Sequence, residues 1–232
     1  MRILYISLGI LGLVLLCYWA INFYLTVQVS KKIIENTVPY TKEGEGDAVL
    51  VLGDSTAVGI GARVPEESVA GLVAEYIGAG SLENYARSGA EVKDLSEQIT
   101  RAQRSEYRLI LIQIGGNDII RFHSAKETAR ELAEVLQELP TSEKVVVISA
   151  GDVGGATLFP YPVRPFHTRL NKKFHAAFEE VVTAAGHTYV NFGKSPATQK
   201  INNDPKTYLS ADGLHPSSAG YKLWFEDIRP EL

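Results

Sequence analysis

Three stretches of the chain are apolar at nearly every position: Ala48–Leu52 (AVLVL), Leu109–Ile114 (LILIQI) and Val145–Ile148 (VVVI). A strand with one wet face alternates polar and apolar residues, so an unbroken apolar run is read as a strand buried on both faces. Ser81–Ala86 and Thr188–Phe192 are weaker candidates of the same kind. Between these runs lie helical stripes. Val69, Leu72, Val73, Tyr76 and Ile77 share one face, as do Val92, Leu95, Ile99 and Ala102, and again Ala129, Leu132, Ala133, Leu136 and Leu139. A longer stripe runs through Phe166, Leu170, Phe174, Phe178, Val181 and Val182, and a last one after Pro216 carries Tyr221, Trp224, Phe225 and Ile228. Buried strands alternating with helices predict five parallel strands between two helix layers, a three-layer α/β/α sandwich. Ligands of such sheets bind beyond the carboxyl ends of the strands.

The N-terminus obeys a different rule. From Ile3 to Ser30 there are 28 consecutive residues without a charge, bounded by Arg2 and by Lys31-Lys32. About 20 apolar residues suffice to cross the hydrocarbon core, and Tyr18, Trp19 and Tyr24 suit an interfacial aromatic belt. The expectation is a single-pass, uncleaved signal anchor in residues 1–36. A cleaved signal peptide competes, but Tyr18 stands where a small residue would precede a cut after Ala20. A lipoprotein signal at Cys17 competes too, against the bulky pair Leu15-Leu16 before it. Arg2 and the amino terminus favour a cytoplasmic start while Lys31 and Lys32 oppose it; the expected topology places the following domain outside the cytoplasm.

Residues 37–47 (TVPYTKEGEGD) are polar, with one proline and two glycines, and are expected to form a linker to a domain spanning 48–232. Net charge is −4 and no basic block exists, which removes the electrostatic footing for a nucleic-acid partner. With one cysteine, Cys17, an intrachain disulfide is impossible and a cysteine zinc site in the domain is excluded.

Four segments at or beyond element ends carry chemistry. The first, Gly53-Asp54-Ser55-Thr56-Ala57-Val58-Gly59, follows the first strand directly. A serine at such a turn presents its hydroxyl above the sheet edge, with its N–H near a helix N-terminus that favours negative charge; alternatively it only caps the helix. The second is Ala86-Arg87-Ser88-Gly89-Ala90, where Gly89 offers a close-approaching N–H or merely turns the chain. The third is Ile114-Gly115-Gly116-Asn117-Asp118, where the Asn117 amide is placed to donate to a developing oxyanion or to shape a turn. The fourth, Asp212-Gly213-Leu214-His215-Pro216, lets one loop deliver a base and its orienting carboxylate.

Together, GDSTAVG, the pair Ser88-Gly89, GGND and DGLHP resemble the SGNH hydrolase family (GDSL-type esterases and lipases), over about Val49 to Trp224. The resemblance implies a flavodoxin-like, five-stranded sandwich and a serine hydrolase of carboxylic esters. It implies Ser55 as nucleophile, His215 as base, Asp212 as its orienting carboxylate, and an oxyanion hole of the Ser55 N–H, the Gly89 N–H and the Asn117 amide. It implies no metal and no organic cofactor. Thr56 stands where the motif has leucine, which bears on substrate and not on mechanism, and Asp54 is read as structural.

The segment Gly151–Pro165 is expected to border the site, with Phe159 and Tyr161 walling an acyl pocket or packing the loop onto the domain. His123, His167, His175 and His187 lack metal-ligand spacing, and His123 is expected at the surface. The substrate is then a small-molecule, lipid or glycan ester. Acetyl-esterase action on a cell-surface glycan, acyl transfer to another alcohol, and a non-catalytic binding domain on the same fold are the alternatives. A nucleotide site is disfavoured, because GDSTAVG lacks both the dinucleotide glycine spacing and the P-loop lysine.

Overall fold

A computed structural model describes residues 2–232, and the side chains of all of these but 2–4, 8 and 194. The amino terminus and the Arg2 side chain, on which the orientation argument rests, lie outside this described part. The chain opens with α1 (Arg2–Asn36), whose stretch Tyr5–Asn36 is long and apolar enough to cross a membrane. The domain then follows in the order β1 (Ala48–Gly53), α2 (Ser55–Val58), α3 (Val69–Tyr76), β2 (Ser81–Asn84), α4 (Leu95–Ile99), β3 (Glu106–Ile114), α5 (Gly116–Ile120) and α6 (Ala125–Val135). After it come β4 (Thr141–Ser149), α7 (Arg164–Ala184), β5 (Thr188–Val190), α8 (Pro196–Asn203), α9 (Pro205–Tyr208) and α10 (Ser218–Ile228).

All five strands are parallel, in the spatial order β2-β1-β3-β4-β5. The unbroken apolar runs have the predicted cause. Successive residues of β1 serve opposite faces, so Leu50 and Leu52 join Leu95, Leu132, Phe174 and Phe178 on one side. Val49 and Val51 join Val69, Val73, Tyr221 and Trp224 on the other. The sheet is thus covered by α4, α6 and α7 on one face and by α3, α8 and α10 on the second.

Two details differ from the helical patterns. Phe166 is 64% exposed, because the buried stripe of α7 runs through His167, Asn171, Phe174, His175, Phe178 and Val182. Tyr76 is 55% exposed at the rim of α3, its ring edge against Phe225. Residues 37–47 run across the domain edge. Lys42 forms an antiparallel bridge with Leu82 on the outer strand β2, its Nζ donates to the Ala79 carbonyl, and Tyr40 joins the α3-side core. This covers part of an edge that would otherwise offer unpaired backbone groups.

Candidate active site

The strand order reverses between β1 and β3, and the turns after these strands are where a doubly wound sheet leaves a crevice. Gly53 makes the first turn feasible. Its φ of 139° lies in the left-handed half of backbone space, and a Cβ there would stand 1.9 Å from the Gln113 carbonyl oxygen on β3. The Gln98 side chain clamps the same residue, accepting from its N–H at 2.7 Å and donating to its carbonyl at 2.9 Å. Asp54 then caps α2. Its carboxylate accepts from the Thr56 N–H at 2.9 Å and from Thr56 Oγ1 at 2.8 Å, and also from the Gly116 N–H of the third motif. Burial raises the Asp54 pKa against these bonds. The structural reading of Asp54 matches this arrangement.

Ser55 follows as the first residue of α2, a position whose N–H has no acceptor inside the helix. His215 Nε2 stands 2.8 Å from Ser55 Oγ, and His215 Nδ1 stands 2.6 Å from Asp212 Oδ2. Asp212 is wholly buried, and Ser55 and His215 nearly so. Burial alone would raise the Asp212 pKa. The His215 contact, the Ser210 hydroxyl at 2.7 Å and the Leu214 N–H at 3.0 Å outweigh it and hold the carboxyl well below its ordinary range. The loop that carries both groups is itself pinned: the Ser210 N–H donates to the His215 carbonyl at 2.8 Å, and Gly213 turns at φ 63°. Tyr221, buried in α10, donates its hydroxyl to the Ile60 carbonyl at 2.7 Å and so ties the turn after Ser55 to the helix after His215.

Gly89, at φ 81°, and Asn117, in the first turn of α5, border the same cavity as Ser55 and His215. The Asn117 amide donates one hydrogen to the Ala90 carbonyl at 2.9 Å, which fixes the side chain and leaves its second hydrogen for a ligand. The buried Asn84 side chain bridges the same blocks, donating to the Ala57 carbonyl and accepting from the Ala86 N–H. The cavity, of about 240 Å³, has apolar walls that include Ile120, Ile201, Leu214 and Trp224.

Phe159 and Tyr161 do not line this cavity. They border a second hollow against α1, and Phe159 packs its ring on His167, 4.5 Å between centroids, with Phe122 stacked on the same imidazole. The nearer part of the segment, Gly151–Ala156, supplies the wall expected of it. The far part, Thr157–Tyr161, lies instead beside Trp19, Phe23 and Thr26 of α1. His123 is partly exposed, 3.4 Å from Asp118 Oδ1. Glu91, Asp118 and His123 stand close enough to share a cation, but Glu91 is already paired with Lys93 and Arg121.

Several positioning residues escaped the sequence reading. Ser210 lies two residues before Asp212, a spacing typical of local side-chain turns. Ile201 rides on α8, whose start Ser195-Pro196 is a cap followed by a first-turn proline, a signal present in the sequence. Gln98 acts across the fold and leaves no local signal, and the apolar stripe that names Tyr221 gives no sign of its hydroxyl bond to Ile60.

A model of the GDSL-like lipase/acylhydrolase family matches residues 51–223. A GDSL-like esterase of Mycobacterium tuberculosis is 32% identical over 184 residues, which cover 75% of this chain; the chain spans 58% of that relative's length. Among solved structures, phospholipase A1 from Streptomyces albidoflavus superposes with a TM-score of 0.63 at 17% identity, covering 81% of this chain and all of that one. TesA superposes with a TM-score of 0.61 at 20% identity, covering 79% of this chain and 97% of that one.

Proposed function

The chain belongs to the GDSL-like lipase/acylhydrolase family, the SGNH hydrolases, and from that membership we propose that it is a membrane-anchored serine esterase that hydrolyses carboxylic esters through an acyl-Ser55 intermediate. The observation that carries the reading is the hydrogen-bonded relay Ser55–His215–Asp212, at 2.8 and 2.6 Å, opening on an apolar cavity. Kinship to an esterase at 32% identity supports the same reaction class.

His215 Nε2 takes the Ser55 proton as Oγ attacks the ester carbonyl. The negative charge then develops on the carbonyl oxygen, where the Ser55 and Gly89 N–H groups and the free hydrogen of the Asn117 amide stabilise it; one such donor contributes about 10²–10³ in rate. The imidazolium returns its proton to the leaving alkoxide, the alcohol departs, and water repeats the sequence on the acyl-enzyme. Asp212 keeps the Nδ1 proton in place and stabilises the imidazolium, and its low pKa keeps it ionised throughout. Helix α1 would hold the domain at a bilayer, with the domain on the extracytoplasmic side.

The test is hydrolysis of p-nitrophenyl acetate, butyrate and octanoate by the full-length protein beside Ser55→Ala. The expected result is turnover in the wild type that disappears in Ser55→Ala. Equal turnover in both would assign the activity to something other than Ser55, and none in a folded wild type would favour a binding domain.

A further inference from the structure

Helix α1 does more than lead into the domain. Its partly buried residues Thr26, Val27, Ser30, Ile33 and Ile34 share one helical face, and Thr26, Ser30 and Ile34 on that face border hollows shared with the domain. Ser30 and Ile34, a single turn apart, line the same cavity as Ser55 and His215. Toward the N-terminus, Trp19, Phe23 and Thr26 border a second hollow of about 520 Å³ together with Leu158, Phe159 and Tyr161. Thr26 is one turn from Ser30, and Ala156, which borders the first hollow, is bonded to Thr157, which borders the second. The two hollows are therefore successive stretches of one seam between α1 and the segment after β4.

The seam leads into the part of α1 that water does not suit. Leu11, Leu13, Leu16 and Ile21 are each more than half exposed, an apolar surface of a length and composition that a bilayer covers. Lys31 and Lys32 mark the headgroup level, as cationic residues at the end of a membrane helix do. Ser30 and Ile34 bracket that level on the helix and border the cavity that Ser55 borders. From Ile34 back to Trp19 the helix descends roughly 22 Å at 1.5 Å per residue, from headgroup level well into the acyl region. A bilayer lipid bound with its ester at Ser55 has a path for its chain along this seam, between Trp19 and Phe23 on one side and Leu158 and Phe159 on the other; Arg164 also borders it, its guanidinium donating to the Phe159 and Thr157 carbonyls.

Resting on the esterase reading above, we propose that α1 forms one wall of the acyl channel, and that the substrate is a long-chain ester lipid drawn from the bilayer along the α1 seam. Ile34 and Ser30 are then specificity residues, and the aromatic tip Leu158–Tyr161, which does not line the catalytic cavity, flanks the chain lower down.

The experiment uses full-length protein in lipid nanodiscs and compares turnover of p-nitrophenyl palmitate with that of p-nitrophenyl acetate. The variants are Ile34→Asp, which puts a charge in the channel, and Ser30→Trp, which fills it. Both positions are outside the domain core; fluorophosphonate labelling of Ser55 reports an intact site in the same samples, and the ratio is read whatever the absolute acetate rate. The palmitate-to-acetate ratio is expected to fall about tenfold or more, the scale of a methylene or two of lost apolar contact. A fall in either variant supports the proposal. A ratio unchanged in both, or a wild type that hydrolyses acetate and ignores palmitate, overturns it while leaving the esterase reading intact. A wild type that cleaves neither ester overturns both.

Discussion

At Asp212, burial and hydrogen bonding pull in opposite directions, and the bonds win. Burial favours the neutral acid, but the contacts from His215, Ser210 and the Leu214 N–H hold the folded-state pKa well below the ordinary carboxylate value. A depressed folded pKa means that the group contributes stability above its unfolded value of about 3.9 and loses that contribution as the pH falls through the folded one. Asp54 has the opposite sign: burial raises its pKa, so its charge works against the folded state, but it is common to the wild type and an Asp212 variant and drops out of their comparison. Urea unfolding of the wild type and Asp212→Asn is therefore expected to show a stability gap that is widest near neutrality and narrows as the pH drops below about 4. A gap that stays constant down to pH 2 would show that Asp212 is not held ionised by its neighbours.

Among the elements, the contact between β1 and β3 decides where Ser55 stands. In Gly53→Ala the new methyl would overlap the Gln113 carbonyl, at 1.9 Å, and a β1–β3 shift would also disturb the Gln98 clamp. The expected loss is about 3 kcal/mol, or roughly 6–12 °C in Tm, read from thermal unfolding; an unchanged Tm would mean that the turn is not so constrained. The strands were readable in the sequence in proportion to their burial. β1, β3 and β4 announce themselves as unbroken apolar runs because both their faces are covered, whereas β2 and β5 are short strands at the sheet edges with polar positions among their residues. Phe166 misled because periodicity cannot tell which apolar residue a helix end leaves outside, and the buried slots of α7 take His167, Asn171 and His175 instead. The candidate triad and oxyanion donors were readable only as a conjunction of four short motifs. Loop position alone left open whether Phe159 and Tyr161 wall the catalytic pocket or pack the loop; Phe159 packs on the domain core and His167, and both border the hollow beside α1, a neighbour that no local pattern names.

The site is a long-range construction. Ser55 and His215 are 160 residues apart in the chain, and the Tyr221–Ile60 bond that ties their loops spans 161. Neither half of the domain holds a complete relay, so activity should track assembly of the sheet with α10. Helix α1 extends the same logic, since its last turns close one side of the cavity. If this assembly makes Ser55, and no other hydroxyl, a nucleophile, treating the folded full-length protein with a fluorophosphonate, measuring its intact mass and mapping the modified peptide should give one adduct, on Ser55, absent in Ser55→Ala. No adduct on the folded wild type, or an adduct that persists in Ser55→Ala, would contradict that role for Ser55.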